Sequence, residues 1–242
     1  MDELYDLTSL YSDVYKSASP MLVAVDNVIF GFDVDEEKLK ILLMRRRVEP
    51  CSGEWSLIGS FVKPNESTSE AAIRVLKEFT GLTDVFLDQF KTYSDIGRDP
   101  GARVLSVGYF SLIRIEESNK QFGSDHNAQW FGLDEIPVLV ADHNAIVNDG
   151  LLMLQQRSTT YPVGFKLLPT KFTLPNLLHL YQEIFQSRLD DRNFRKKVLA
   201  SGLLEKLKLK DKSSSRKGAF LYRFDEESYN RQLKLGISTR LI

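Results

Sequence analysis

Glu66, Arg74 and Glu78 are the residues of this chain whose types and spacing come nearest to catalytic chemistry. They lie in the segment GSFVKPNESTSEAAIRVLKEFTGL, residues 59–82. Carboxylates supply the hard oxygen ligands that magnesium requires, and a bound magnesium offsets the charge of a phosphate under attack. On a helix, ligands three or four residues apart share one face. Glu78 has Val75 three residues before it and Phe79 beside it, and neither side chain offers an oxygen. Arg74, four residues before Glu78, is placed to pair with it and brace the adjoining loop. The segment is expected to carry no catalytic residue and to hold no metal or cofactor.

A second set of residues suits polyanions. DDRNFRKKVLASGLL (190–204) reads as a helix with Phe194, Val198 and Leu199 facing inward, which leaves Arg192, Asn193, Arg195, Lys196 and Lys197 outside. Arginine reads guanine with two hydrogen bonds and asparagine reads adenine, each good contact being worth about 1–3 kcal/mol of discrimination. Lys196 and Lys197 suit phosphate, which adds salt-dependent affinity without sequence reading. Arg188 lies in the turn before this helix. Downstream, two strand-like pieces flank a basic loop with Lys212, Arg216 and Lys217 (the wing of a winged helix-turn-helix). A helical hairpin with a charged, solvated face is the alternative.

The remaining elements must position these two sets. MLVAVDNVIFGFDV (21–34) and KLKILLMRRR (38–47) read as a hairpin of strands. Residues 66–80 carry helical patterning with Ala71, Ala72, Leu76 and Phe79, and Gly81 suits the C-cap. VFLDQFKTYSDI and ARVLSVGYFSLIRI follow as strands about the turn GRDPG (97–101), then a strand and turn in AQWFGLDEIP and a long helix over 142–158. Thr173 is a good N-cap and Pro175 a good first-turn residue for a helix in KFTLPNLLHLYQEIFQ (171–186). The order predicts an α+β fold, with an N-terminal arm or helix over 1–18, one domain over 19–160 and a basic, DNA-binding domain over 161–242 that ends on its hairpin.

Bulk properties agree. The chain of 242 residues is 43% hydrophobic and 27% charged, so either part can bury a core. Its net charge of −1 hides a polarity. Residues 1–160 hold 15 Lys/Arg against 25 Asp/Glu, and residues 161–242 hold 17 against 8. A basic module beside an acidic one suggests a polyanionic partner, the alternative being a basic solvated tail. One cysteine, Cys51, excludes an intramolecular disulfide and fits a reducing compartment. The acidic N-terminus is no signal peptide, and no apolar run reaches the length of a membrane span. A cytoplasmic protein without a membrane partner is expected.

Residues 59–82 resemble the Nudix box, GX5EX7REUXEEXGU with U a bulky aliphatic residue. Aligned on Gly81 and Leu82, the match retains Glu66, Arg74, Leu76 and Glu78. It departs at Ser60 for the opening glycine and at Val75 and Phe79 for two of three metal-binding glutamates. TYSDIGRDPGARVLSVGYFSLI (92–113), QWFGLDEIP and LVADHNAIVNDGL extend the resemblance over about 20–158. With KLLPTKFTLPNLLHLYQEIFQ and LDDRNFRKKVLASGLLE, nearly the whole chain resembles the Nudix-related transcriptional regulators, and within them the arabinose-responsive repressors. The resemblance implies a Nudix-like α/β/α sandwich followed by a winged helix-turn-helix, in a homodimer that binds an operator palindrome and releases it on binding L-arabinose. It implies no enzyme. Asp26, Trp55, Lys63, Glu66, Asp95 and Arg98 sit on segments that border the pocket of this fold and are the effector-binding candidates. Their structural alternatives are a core position for Trp55, a solvated Lys63 and an Arg98–Asp99 pair that fixes its turn. Two other functions stay open: an ADP-ribose-sensing regulator of NAD metabolism, and a residual hydrolase of nucleotide diphosphates.

Overall fold

A computed structural model describes residues 17–82, 85–116, 127–212 and 217–236. The proposed N-terminal arm therefore lies, up to residue 16, outside the described residues, as does Arg216 of the wing. The chain folds as α+β. β1 (Leu22–Asp33) and β2 (Lys38–Arg45) form the expected antiparallel hairpin, with Ile29 opposite Leu42. β3 (Trp55–Ser56) and β4 (Ile58–Phe61) add to β2 and β1. β5 (Phe86–Tyr93) and β6 (Val104–Ile115) pair antiparallel about the predicted turn, and β6 runs parallel to β1 along its full length. β7 (Ala128–Gly132) closes on β2. The main sheet order is β3-β2-β1-β6-β5. β1 is buried from Val25 to Asp33 without alternation, as a strand covered on both faces must be.

One cover is α1 (Thr68–Thr80), whose Ala71, Ala72, Val75 and Leu76 pack on Val25, Ile29, Val107 and Tyr109. It starts two residues later than its apolar pattern suggests. Ser67 and Glu70 form a capping box, each side chain bonded to the other's backbone N–H, and this leaves Glu66 in the preceding loop. Gly81 ends it at φ 71°, its N–H bonded to the Lys77 carbonyl. The other cover is α2 (His143–Thr160), which sets Ile146, Val147 and Leu154 on the opposite face. A Cβ at Gly150 would stand 3.1 Å from Val28, so glycine permits this close helix-to-sheet approach.

After α2 come a 3-10 turn (Val163–Leu167), β8 (Phe172–Thr173), α3 (Leu174–Phe185), α4 (Asp191–Ala200), β9 (Leu204–Asp211), β10 (Ala219–Phe224) and α5 (Glu226–Lys234). Strands β8, β10 and β9 make a small second sheet. Thr173 caps α3 in a box with Asn176, and Pro175 sits in its first turn as the sequence predicts. α4 ends four residues short of the expected Leu204, because Gly202 adopts φ 68° and Leu204 enters β9. α5 corrects the expectation that the hairpin comes last. Its apolar residues are only Tyr229 and Leu233, too few for its sequence to announce it. One continuous apolar core joins the two halves: Phe30, Phe32 and Leu39 belong to the same cluster as Leu177, Tyr181 and Phe194.

Candidate functional site

Arg74 keeps the loose i,i+4 ion pair with Glu78 that its spacing suggests, but its hydrogen bonds go elsewhere. Its guanidinium turns back to Glu66, with Nε and Nη2 at 2.9 and 2.6 Å from the two carboxylate oxygens, and Nη2 also donates to the Phe61 carbonyl at 3.2 Å. Glu78 stays exposed, 3.9 Å from Arg74. The Glu66 carboxylate further accepts the Lys63 N–H at 2.9 Å. Hydrogen bonding from Arg74, then from the Lys63 amide, holds the Glu66 carboxyl down at about 2. Glu66 is thus spent on holding its loop, and Lys63 serves that loop through its backbone while its side chain is exposed.

The Nudix resemblance implies magnesium here, and the residues do not fit it. Val75 is fully buried in the core beneath α1, and Phe79 packs against the same cluster. Of the three metal-binding positions only Glu78 keeps an oxygen donor. Among the described residues no group of three or more His, Cys, Asp or Glu stands together to hold a metal.

Asp26 and Arg98 do come together, in a buried cluster on the α2 side of the sheet. Arg98 grips Asp142 through two bonds of 2.7 Å and lies 3.7 Å from Asp26. Its side chain is 5% exposed. Burial opposes the Arg98 charge, but bonding to Asp142 and the fields of Asp142 and Asp26 prevail and raise its pKa. The expected Arg98–Asp99 bond is not how the turn is fixed: Asp99 accepts the Gly101 N–H instead. Ser106 donates to Asp26 across to β6. His143 accepts the Leu57 N–H on Nδ1 at 3.0 Å, which leaves the proton of a neutral ring on Nε2, 3.8 Å from Asp26. This cluster ties the 94–101 loop to the start of α2.

Trp55 is half-buried, with the Arg45 guanidinium 4.9 Å from its ring centre and Phe131 edge-on at 4.8 Å. Asp95 contributes through its carbonyl, which accepts from Arg103 at 3.1 Å, and its side chain is exposed. Sequence reasoning missed Asp142, His143 and Ser106, whose partners are remote in sequence. It also missed Tyr93, whose hydroxyl donates to Asp149 at 2.8 Å beside Lys91. Burial, then bonding to Asp149, raises the Tyr93 pKa.

The basic face is built on α4. Asp190 caps the helix by accepting the Asn193 N–H at 2.7 Å, and its charge and that of Asp191 suit the positive helix end. Phe194 and Val198 anchor the helix in the core. Arg192, Asn193, Lys196 and Lys197 are exposed, as is Arg188 in the turn before them. Arg195 departs from the expected set, being half-buried and paired with Asp191 one turn back. Lys212 and Lys217 are exposed at the base of the wing tip. A row of lysines escaped the sequence reading: Lys206, Lys208 and Lys210 alternate along one face of β9. Lys206 and Lys210 lie 3.8 and 4.6 Å from the centre of the Phe220 ring. No helix among the described residues is long and apolar enough to cross a membrane.

Comparison with known proteins agrees with this architecture. Residues 22–149 match the NUDIX domain and residues 164–224 match the NrtR DNA-binding winged helix domain. The chain is 29% identical over 213 residues to the ADPR responsive transcriptional repressor NtrR of Acinetobacter baylyi, covering 86% of this chain and 84% of that one. It is 34% identical over 128 residues to the ADP-ribose pyrophosphatase of Methanocaldococcus jannaschii, covering 52% of this chain and 71% of that one. Shewanella oneidensis NrtR, solved in complex with a 27mer DNA, matches with TM-score 0.74 at 26% identity over 86% of this chain and 95% of the other. With more than half of its residues matched by the NUDIX domain, the chain belongs to the Nudix family and carries a C-terminal winged helix of the NrtR type.

Proposed function

We propose that this protein is a transcriptional repressor whose winged helix binds operator DNA and whose Nudix domain senses ADP-ribose, or a closely related nucleotide diphosphate, without cleaving it. The observation that carries this reading is the pairing of a box helix whose Val75 and Phe79 are packed into the core with a helix, α4, that presents Arg192, Asn193 and Lys196 to solvent. The choice of effector follows the relatives. Two that the chain matches, one a repressor and one a hydrolase, are both named for ADP-ribose. L-arabinose, which the sequence resemblance suggests, has no such support. Loss of the metal carboxylates does not argue for a neutral sugar either, because it removes negative charge that a diphosphate would otherwise meet. Two winged helices reading two half-sites call for a homodimer.

The testing experiment is a mobility-shift titration of the full chain on its operator, with ADP-ribose and L-arabinose compared as releasing agents. Release by ADP-ribose at lower concentration supports the proposal. Release by L-arabinose alone would falsify the choice of effector. Incubation with ADP-ribose and magnesium, read for AMP and ribose phosphate, is expected to show no turnover; multiple turnovers would overturn the claim that the domain does not cleave its ligand.

A further inference from the structure

We infer that this Nudix domain binds the diphosphate of its ligand without a magnesium ion. The inference rests on the nucleotide-diphosphate reading above and goes beyond it, because a sensor that does not hydrolyse its ligand can still need a metal to hold it.

The donor set is the first argument. Magnesium takes oxygen ligands in near-octahedral geometry and is held through carboxylates together with the phosphates it bridges. Of the three positions that carry metal-binding glutamates in the Nudix box, Val75 is fully buried, Phe79 packs on the core and only Glu78 keeps an oxygen donor. Glu66 cannot be recruited at low cost: Arg74 covers both of its oxygens and the Lys63 N–H takes one of them as well.

Charge is the second argument, and it draws a different consequence from the same two positions. α1 carries Glu70 and Glu78 against Arg74 and Lys77, so its formal charge is zero. With glutamates at positions 75 and 79 it would be −2. In that case a diphosphate meets like charge and needs a cation between itself and the helix. Here the repulsion that a metal would relieve is absent, so the ligand's negative charge can approach α1 with no ion in between. The two substitutions remove the means of binding the metal and the need for it in one step.

The test is calorimetric titration of the full-length protein with ADP-ribose in a chelator and again in magnesium. Equal affinity, within about twofold or well under 1 kcal/mol, is the expected result. A tenfold or greater loss in chelator overturns the inference while leaving ADP-ribose sensing intact. Absence of binding in both conditions overturns the inference together with the reading on which it rests. A Phe79→Glu variant, confirmed folded by thermal denaturation, gives a second readout. It should bind ADP-ribose more weakly in chelator than the parent does, and recover part of that loss in magnesium. If Phe79→Glu binds as the parent does in both conditions, the charge argument is wrong.

Discussion

The Glu183 carboxylate of α3 accepts the backbone N–H of Leu39 in β2 at 3.1 Å, a bond from the winged helix into the Nudix sheet across 144 residues of sequence. Asn176 of the same helix reaches Glu37 at 3.5 Å, and Gln155 of α2 donates to the Ile184 carbonyl at 3.0 Å. Arg114 of β6 donates to the Leu168 carbonyl at 3.0 Å. Together with the shared apolar core, these bonds dock the winged helix on the Nudix domain instead of leaving it on a tether. Leu39 is 1% exposed, so its N–H has no water to turn to. Glu183→Ala should therefore destabilise the protein by about 1–3 kcal/mol, the cost of a buried donor left unmade. Denaturant unfolding measures this, and a change below about 0.3 kcal/mol would show that the bond does not hold the junction.

The Arg98 cluster predicts a larger loss. Removing Arg98 leaves Asp26 and Asp142 facing each other without their cation. Breaking a buried pair in this way costs roughly 3–5 kcal/mol. Arg98→Ala should lower the melting temperature by many degrees at neutral pH, whereas Asp99→Ala, which removes only a turn bond to Gly101, should cost far less. Equal effects of the two substitutions would place Arg98 outside the core of the domain.

Acid dependence follows from Glu66. Its carboxyl sits at about 2 in the folded protein against 4.5 ordinarily, so the folded state binds this proton less readily than the unfolded one. A lowered folded value contributes stability that is complete above about 4.5 and fades as pH falls toward 2. The stability difference between the parent and Glu66→Gln should be constant from pH 7 to 5 and shrink below that. A difference that grows on acidification would contradict the pairing with Arg74.

DNA binding should divide between specificity and salt dependence. Arg192→Ala is expected to weaken operator binding and relax its sequence preference by about 1–3 kcal/mol, as removal of a base-reading side chain does. Lys196→Ala should weaken operator and random DNA alike. Replacing Lys206, Lys208 and Lys210 together by Gln should reduce the slope of log affinity against log salt by about 0.9 for each phosphate that is no longer neutralised. An unchanged slope would mean that β9 faces away from the duplex.

Sequence alone determined the local elements, because their causes are local. Thr173 with Pro175, and Gly81 after its helix, mark helix ends through their own backbone chemistry. The β1–β2 hairpin and the α4 helix follow from apolar spacing. The loss of metal ligands at Val75 and Phe79 is a matter of residue type, legible without any fold. Tertiary structure decided which charged side chains are already taken. Arg74 pairs loosely with Glu78, as spacing suggests, but loop geometry gives its hydrogen bonds to Glu66, eight residues away, because Ser67 caps α1 and leaves Glu66 outside it. Arg98 found Asp142, 44 residues away, because the loop after β5 and the start of α2 meet over one face of the sheet. Pairing energies depend on distance and burial in space, and neither of these is written in spacing along the chain. For the same reason spacing marked Asp26, Glu66 and Arg98 as effector-binding candidates without showing the partners that the fold gives each of them: Ser106, Arg74 and Asp142.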